Sequence, residues 1–128
     1  MSETAPARRD PALRTVAMPA DANANGDIFG GWLLAQMDLA GAVPAMRRAR
    51  GRVATVAVQG MAFHRPVLVG DLVSCYAEIA RVGRTSLTVA IEIWVERHFG
   101  GSIEKVTEGV FTYVAIDAAG KPRPVPPS

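Results

Sequence analysis

FGGWLLAQMDLAGAVPAMRRAR, residues 29–50, decides the fold. It is too long for one strand, rich in Ala, Leu and Met, and ends in Arg47, Arg48 and Arg50 before Gly51, which together predict a helix. The arginines oppose the negative helix end. Because no aromatics interleave them, they read as dipole complements and not as a nucleic-acid patch. Pro44 lacks an amide hydrogen and should kink the helix or shift its last turns. Trp32, Leu33, Leu34, Ala35, Met37, Leu39, Ala40, Ala42 and Val43 cover every side, where an amphipathic surface helix would show a polar face. The helix is therefore expected to be buried nearly all round. A single small sheet can achieve that only by curling strongly about it while a second subunit covers the remainder. Ala35, Ala40, Gly41 and Ala42 would allow close approach.

After Gly51 the hydrophobic period changes. Residues 53–63, 72–82, 87–95 and 106–116 alternate or run apolar with many β-branched side chains, punctuated by Arg65-Pro66, Gly70-Asp71, Gly83-Arg84 and Gly100-Gly101. This predicts an antiparallel meander. Upstream, residues 13–18 can form a short strand, and PADANANGD at 19–27 is a run of turn formers expected to make an ordered loop. Residues 1–12 are expected to be a flexible arm, 13–121 a single domain, and 122–128 a Pro-rich extended tail unable to continue a sheet.

A chain of 128 residues holds one core, so a two-domain enzyme with its own nucleotide fold is not expected. With 49% hydrophobic and 20% charged residues the composition is that of a globular protein and not a disordered one. A net charge of +2 is too slight to point to nucleic acid or an anionic membrane as a partner. Cys75 is the sole cysteine, which rules out an internal disulfide or a multi-cysteine zinc site, fits a reducing compartment and reads as a buried thiol. No window approaches ~20 uninterrupted apolar residues and no signal-peptide core precedes residue 13, so the expected location is the cytoplasm. His64 and His98 have no ligand spacing between them, and neither a Walker sequence nor a dinucleotide fingerprint occurs, so no metal is expected.

Asp38 is the only ionisable side chain on the helix before its basic end, and its neighbours at three and four positions are Leu34, Ala35, Gly41 and Ala42. No partner comes from its own helix. A carboxylate there needs a polar opening or a partner elsewhere, whether for chemistry or for structure. Gly30-Gly31 opens the same helix, where amides lack intrahelical acceptors and the dipole is positive. The missing side chains suit either close packing or close approach of a carbonyl oxygen.

Strand, buried helix and long antiparallel meander is the element order of the α+β hotdog fold, a curled sheet wrapped around one central helix. The stretches MPADANANGDIFGGWLLAQMDLAGA, GRVATVAVQGMAFHRPVLVGD, VGRTS and VFTYVAID closely resemble the YciA subgroup of hotdog acyl-CoA thioesterases, over nearly the whole chain.

The resemblance implies hydrolysis of acyl-CoA thioesters, with Asp38 as general base or nucleophile and the Gly30 amide as oxyanion donor. Many relatives carry His before the glycine pair where this chain has Phe29, so the carry-over rests on the backbone donor. Gly30 and Asp38 are eight residues apart, about 12 Å along a helix at ~1.5 Å per residue. One carbonyl needs both groups within roughly 3 Å. If both act on it, Gly30 of one chain must meet Asp38 of another across a two-fold axis, and a homodimer with two interfacial sites follows. Relatives imply a trimer of dimers.

Thr55 is expected to orient Asp38 or a water, or to be an ordinary strand threonine. Asn23 would bond the carbonyl or water, or close a local Asx turn, and Asn25 and Asp27 serve the turn and the helix cap. The phosphates of coenzyme A need fixed positive charge or backbone donors. The matching turn of the family implies Arg84 and Ser86 for that role, with Arg65 a lesser candidate. No cofactor beyond the substrate's own carrier is expected. The rival functions are a hydratase or dehydratase of acyl thioesters, for which only His64 stands near a suitable wall, and a non-catalytic acyl-CoA binding module. Acyl length would depend on how Trp32, Met37, Met61 and Phe63 pack.

Overall fold

The computed structural model describes residues 9–97 and 100–128. His98 and residues 1–8 of the expected arm lie outside the described residues. β1 (Leu13–Val16) and a turn of 3-10 helix (Pro19–Asp21) lead into α1 (Gly30–Ala49), which is followed by β2 (Val53–Phe63), β3 (Leu72–Val82), β4 (Ser86–Glu96) and β5 (Ile103–Ala115). Phe29 caps the start of α1, and Arg50, at φ 54°, closes its end in the left-handed conformation. The helix runs through Pro44 without a break in the assigned element.

All strands pair antiparallel in the order β1-β3-β4-β5-β2. The expected four-strand meander is therefore corrected: β3, β4 and β5 form it, while β2 pairs with β5 on the far edge, Val53 opposite Ala115 and Phe63 opposite Thr107. Strand length and period are local properties, and strand order is not. The sheet ends on one side in the four-residue β1 and on the other in the eleven-residue β2, most of which is exposed. A long unpaired edge of this kind is a template for a further strand.

The sheet of one chain supplies part of the burial expected for the helix. Within one chain α1 buries Leu33, Met37, Ala40, Gly41, Ala45 and Ala49, one helical stripe, against the concave sheet face. Met37, Phe111, Tyr113 and Val89 are fully buried there, and each such side chain contributes about 1.5–3 kcal/mol through burial. Leu39 and Met46 on the other side are 60% and 44% exposed. The sheet covers one side of an all-round apolar helix and leaves the other side open. Gly41 does allow close approach, since a Cβ there would stand 2.3 Å from the Tyr113 hydroxyl.

The last residues are extended yet docked. The Arg123 guanidinium donates to Ala49 O (2.9 Å) at the helix end and to Ile116 O (3.0 Å), the Val125 amide donates to Arg84 O (2.8 Å), and Arg48 donates to Pro126 O. Orphan carbonyls at a helix C-terminus are satisfied here by a side chain of the tail.

Candidate active site

Gly31, Leu34, Ala35 and Asp38 form a stripe on the open side of α1, and Thr55 and Val58 of β2 face it across a cleft of about 390 Å³ floored by Phe111. Thr55 and Val58 are three residues apart, which in a regular strand would send them to opposite faces. A register shift between Thr55 and Ala57 adds a residue to the strand, so that Thr55 pairs with Tyr113 and Val58 with Phe111. The bulge turns both toward the helix. The Thr55 hydroxyl donates to Asp38 Oδ1 at 2.6 Å, a short charge-assisted bond. Asp38 thus finds its partner on the sheet edge, as its bare helical neighbourhood required.

Behind Asp38 stands Tyr113, 1% exposed, whose hydroxyl donates to the Asp38 backbone carbonyl at 2.8 Å. Burial pushes the phenol well above its ordinary range, and the Asp38 charge with a hydrogen bond to Asp38 pushes it further. It stays protonated, and so a donor, throughout the working pH range. Sequence reasoning did not single out Tyr113. The available signal was a bulky phenol in phase with Phe111 on a strand destined to cross a helix that carries a buried glycine.

Gly30 opens a second cleft of about 380 Å³, lined by Ile28, Leu33, Phe63, His64, Arg65, Pro66 and Val67. A Cβ on Gly30 would meet only Phe63 ring atoms, at 3.7 and 3.8 Å, which is ordinary contact. Packing within the chain therefore does not require glycine there. The entry to the helix is held from below: Ile28 N donates to Val67 O (2.9 Å), and Arg97 donates to Pro66 O (2.9 Å) and to Asp71, whose Oδ2 accepts the Leu68 amide (2.8 Å). Asp71 is fully buried.

The other expected residues fall as follows. Asn23 Oδ1 accepts the amides of Asn25 (2.9 Å) and Asp27 (3.2 Å), so the side chain does close an Asx turn just ahead of Gly30. Arg65 shares the Gly30 cleft, with its guanidinium 3.5 Å from Glu104 and donating to Lys105 O. Arg84 and Ser86 lie at the turn between β3 and β4, where Gly83 N donates to Ser86 O and the tail binds Arg84 O, and Arg84 itself is exposed. One chain therefore brings Asp38 to Thr55 and Gly30 to Arg65, and holds these two pairs in separate clefts, while Ser86 lies one register position from Leu87, which shares a row with Tyr113 and Thr55. His64 is exposed beside Glu108 (3.2 Å) at the end of β2. Cys75 is buried, and burial pushes its thiol up to about 12. Met37 and Met61 converge on Gly109. Among the described residues no group of three or more His, Cys, Asp or Glu is arranged to hold a metal, and no helix is long and apolar enough to cross a membrane.

Residues 25–98 match the family model of the thioesterase superfamily. The acyl-CoA thioester hydrolase YciA of Escherichia coli strain K12 is 56% identical over 120 residues, covering 91% of this chain and 91% of that protein. A hexameric broad-specificity acyl-coenzyme A thioesterase, solved as an aspartate-to-alanine mutant, superposes with a TM-score of 0.87 at 49% identity over 91% of this chain and 86% of its own. The acyl-CoA hydrolase of Staphylococcus aureus has been solved as an asparagine-to-alanine mutant with coenzyme A and as an aspartate-to-alanine mutant. Those two structures give TM-scores of 0.83 and 0.80 at 29% identity, over 89% of this chain and 68% and 70% of theirs. With a family match over more than half its length and a relative this similar over nine-tenths of it, the chain belongs to the thioesterase superfamily and, within it, to the hotdog acyl-CoA thioester hydrolases of the YciA group.

Proposed function

We propose that this thioester hydrolase works as a homodimer in which the Asp38 cleft of one chain and the Gly30 cleft of its partner are two halves of one site. The observation that carries this is the separation of the two groups: in a single chain they open different clefts on one rigid helix. Antiparallel pairing of the exposed sides of two such helices, with β2 edges abutting, would bring each helix start to the other's aspartate. Water adds to the thioester carbonyl carbon while Asp38 takes its proton through the carboxylate oxygen that Thr55 does not hold. Alternatively, that oxygen attacks the carbonyl carbon directly, loss of the coenzyme A thiolate leaves a mixed anhydride, and water then cleaves it to free acid and the regenerated carboxylate. In both routes negative charge collects on the former carbonyl oxygen, which the Gly30 amide and the positive helix end stabilise. The C–S bond then breaks, the sulfur is protonated, and free acid and coenzyme A leave.

Asn23 contributes in this scheme as an amide whose Oδ1 is fixed by the loop, which leaves Nδ2 as an oriented donor. In the Staphylococcus aureus enzyme the replaced asparagine and aspartate are fifteen positions apart, the separation of Asn23 from Asp38 here. Arg84 and Ser86, with Arg65 in support, are assigned to the phosphates of coenzyme A. The reaction draws on no cofactor beyond that carrier. The hexameric state of the relative above fits three such dimers, and the cytoplasm suits a lone buried thiol. Asp38→Ala should cut kcat at least about a hundredfold in a folded, assembled protein, the contribution expected of a positioned acid–base group. A rate near wild type would discard the scheme. Oxygen-18 incorporation in a single turnover separates water attack from the anhydride.

A further inference from the structure

We infer that Tyr113 and Gly41 form a lock that sets the position of Asp38 along and across the sheet, making Tyr113 a positioning residue for hydrolysis. The role rests on Asp38 and Thr55 being the working pair. Tyr113 lies opposite Thr55 in the β2–β5 ladder. Its hydroxyl reaches across to the Asp38 carbonyl at 2.8 Å, while the Thr55 hydroxyl meets the Asp38 carboxylate at 2.6 Å. Two adjacent side chains of the same sheet row therefore hold both ends of one residue, its backbone and its carboxylate.

The hydroxyl can lie there only because residue 41 has no side chain. A Cβ on Gly41 would stand 2.3 Å from the Tyr113 hydroxyl oxygen and 2.6 Å from Ile91 Cδ1. Gly41 is buried in mid-helix, with no positive φ to call for glycine. A helix-interior glycine costs stability relative to alanine, so the gap it leaves has a use, and what fills the gap is the phenol oxygen together with the Ile91 Cδ1 methyl. The Asp38 carbonyl is a helix acceptor that needs no extra donor to be satisfied. The added bond therefore serves placement, fixing how far the helix sits over the bulged edge where Thr55 waits. Burial and the Asp38 charge keep the phenol protonated, so the lock does not titrate in the neutral range.

Tyr113→Phe removes one oxygen and leaves the ring packing against Phe111. The expected result is a folded, assembled enzyme whose kcat is lowered about tenfold with KM within about twofold, since sub-ångström to 1 Å misplacement of a reacting group costs up to about a hundredfold. Its pH–rate profile should keep its shape. Gly41→Ala should lower kcat at least as much, and the double variant Gly41→Ala/Tyr113→Phe should regain rate over Gly41→Ala alone, because the closest clash, with the hydroxyl, is gone and the Ile91 Cδ1 methyl, the far end of a flexible side chain, can shift. A merely structural contact would lower Tm in each variant with no such recovery of kcat. If Asp38→Ala is inactive while Tyr113→Phe keeps kcat within twofold of wild type, the lock is refuted and the site stands. If Asp38→Ala is active, the site itself falls.

Discussion

The two sides of α1 carry similar residues and meet different fates. Leu33, Met37, Ala40 and Ala45 lie on the sheet side and are buried, whereas Leu39 and Met46, no less apolar, are left largely open, as are Val56 and Val58 of β2. The polar chemistry lies on the seam, where Asp38 leans from the helix onto Thr55. One side of the helix holds the chain together, and the other is the side that the proposed dimer would cover. A carboxylate on that boundary escapes full desolvation in the single chain and would become shielded only in the proposed two-chain site.

The comparison breaks hardest at Leu39. Leu39→Glu puts a charge on the open side, where the isolated fold tolerates it and a dimer interface does not. Single chains in sedimentation, a retained helical circular-dichroism signal and a loss of turnover of at least about a hundredfold are expected. An assembled, active Leu39→Glu enzyme would show that the open side is not the interface. The mirror experiment is Met37→Ala on the buried side, which should destabilise the fold by about 2–5 kcal/mol, read as a fall in Tm, while assembly persists. The smallest and sharpest test is Gly30→Ala. Within one chain the new methyl meets only ordinary contacts, and the helix should be unharmed or gain up to about 1 kcal/mol. Activity should nonetheless fall several-fold, because the methyl occupies the approach of the thioester oxygen. Full activity in Gly30→Ala would remove the close-approach role of this glycine.

Much of the site was legible because it rests on local exceptions. Asp38 stands out as one acid in an apolar helix, and a glycine pair marks a helix start. The Asx turn of Asn23 follows from residues two and four positions away. Thr55 was legible as a candidate partner of Asp38 but its inward orientation was not, since that depends on a bulge that alternation alone does not reveal. Tyr113 was not legible at all, being 75 positions from the carbonyl it holds. The ion-paired support of the Gly30 entry by Asp71 and Arg97 was equally hidden, because charges 26 positions apart pair only when the fold brings them together.

By itself the sequence determined the elements, one long apolar helix with a bare aspartate and strands at 53–63 and beyond, because hydrophobic period and turn residues act within a few positions of themselves. Tertiary structure alone decided that β2 crosses to the far edge, that the sheet covers one side of the helix and not both, and that the tail straps the helix end. Those outcomes are set by which surfaces fit together at a distance, where no local rule discriminates. The candidate site depends on both: the aspartate is written in the chain, and its orientation comes from residues the fold carries to it.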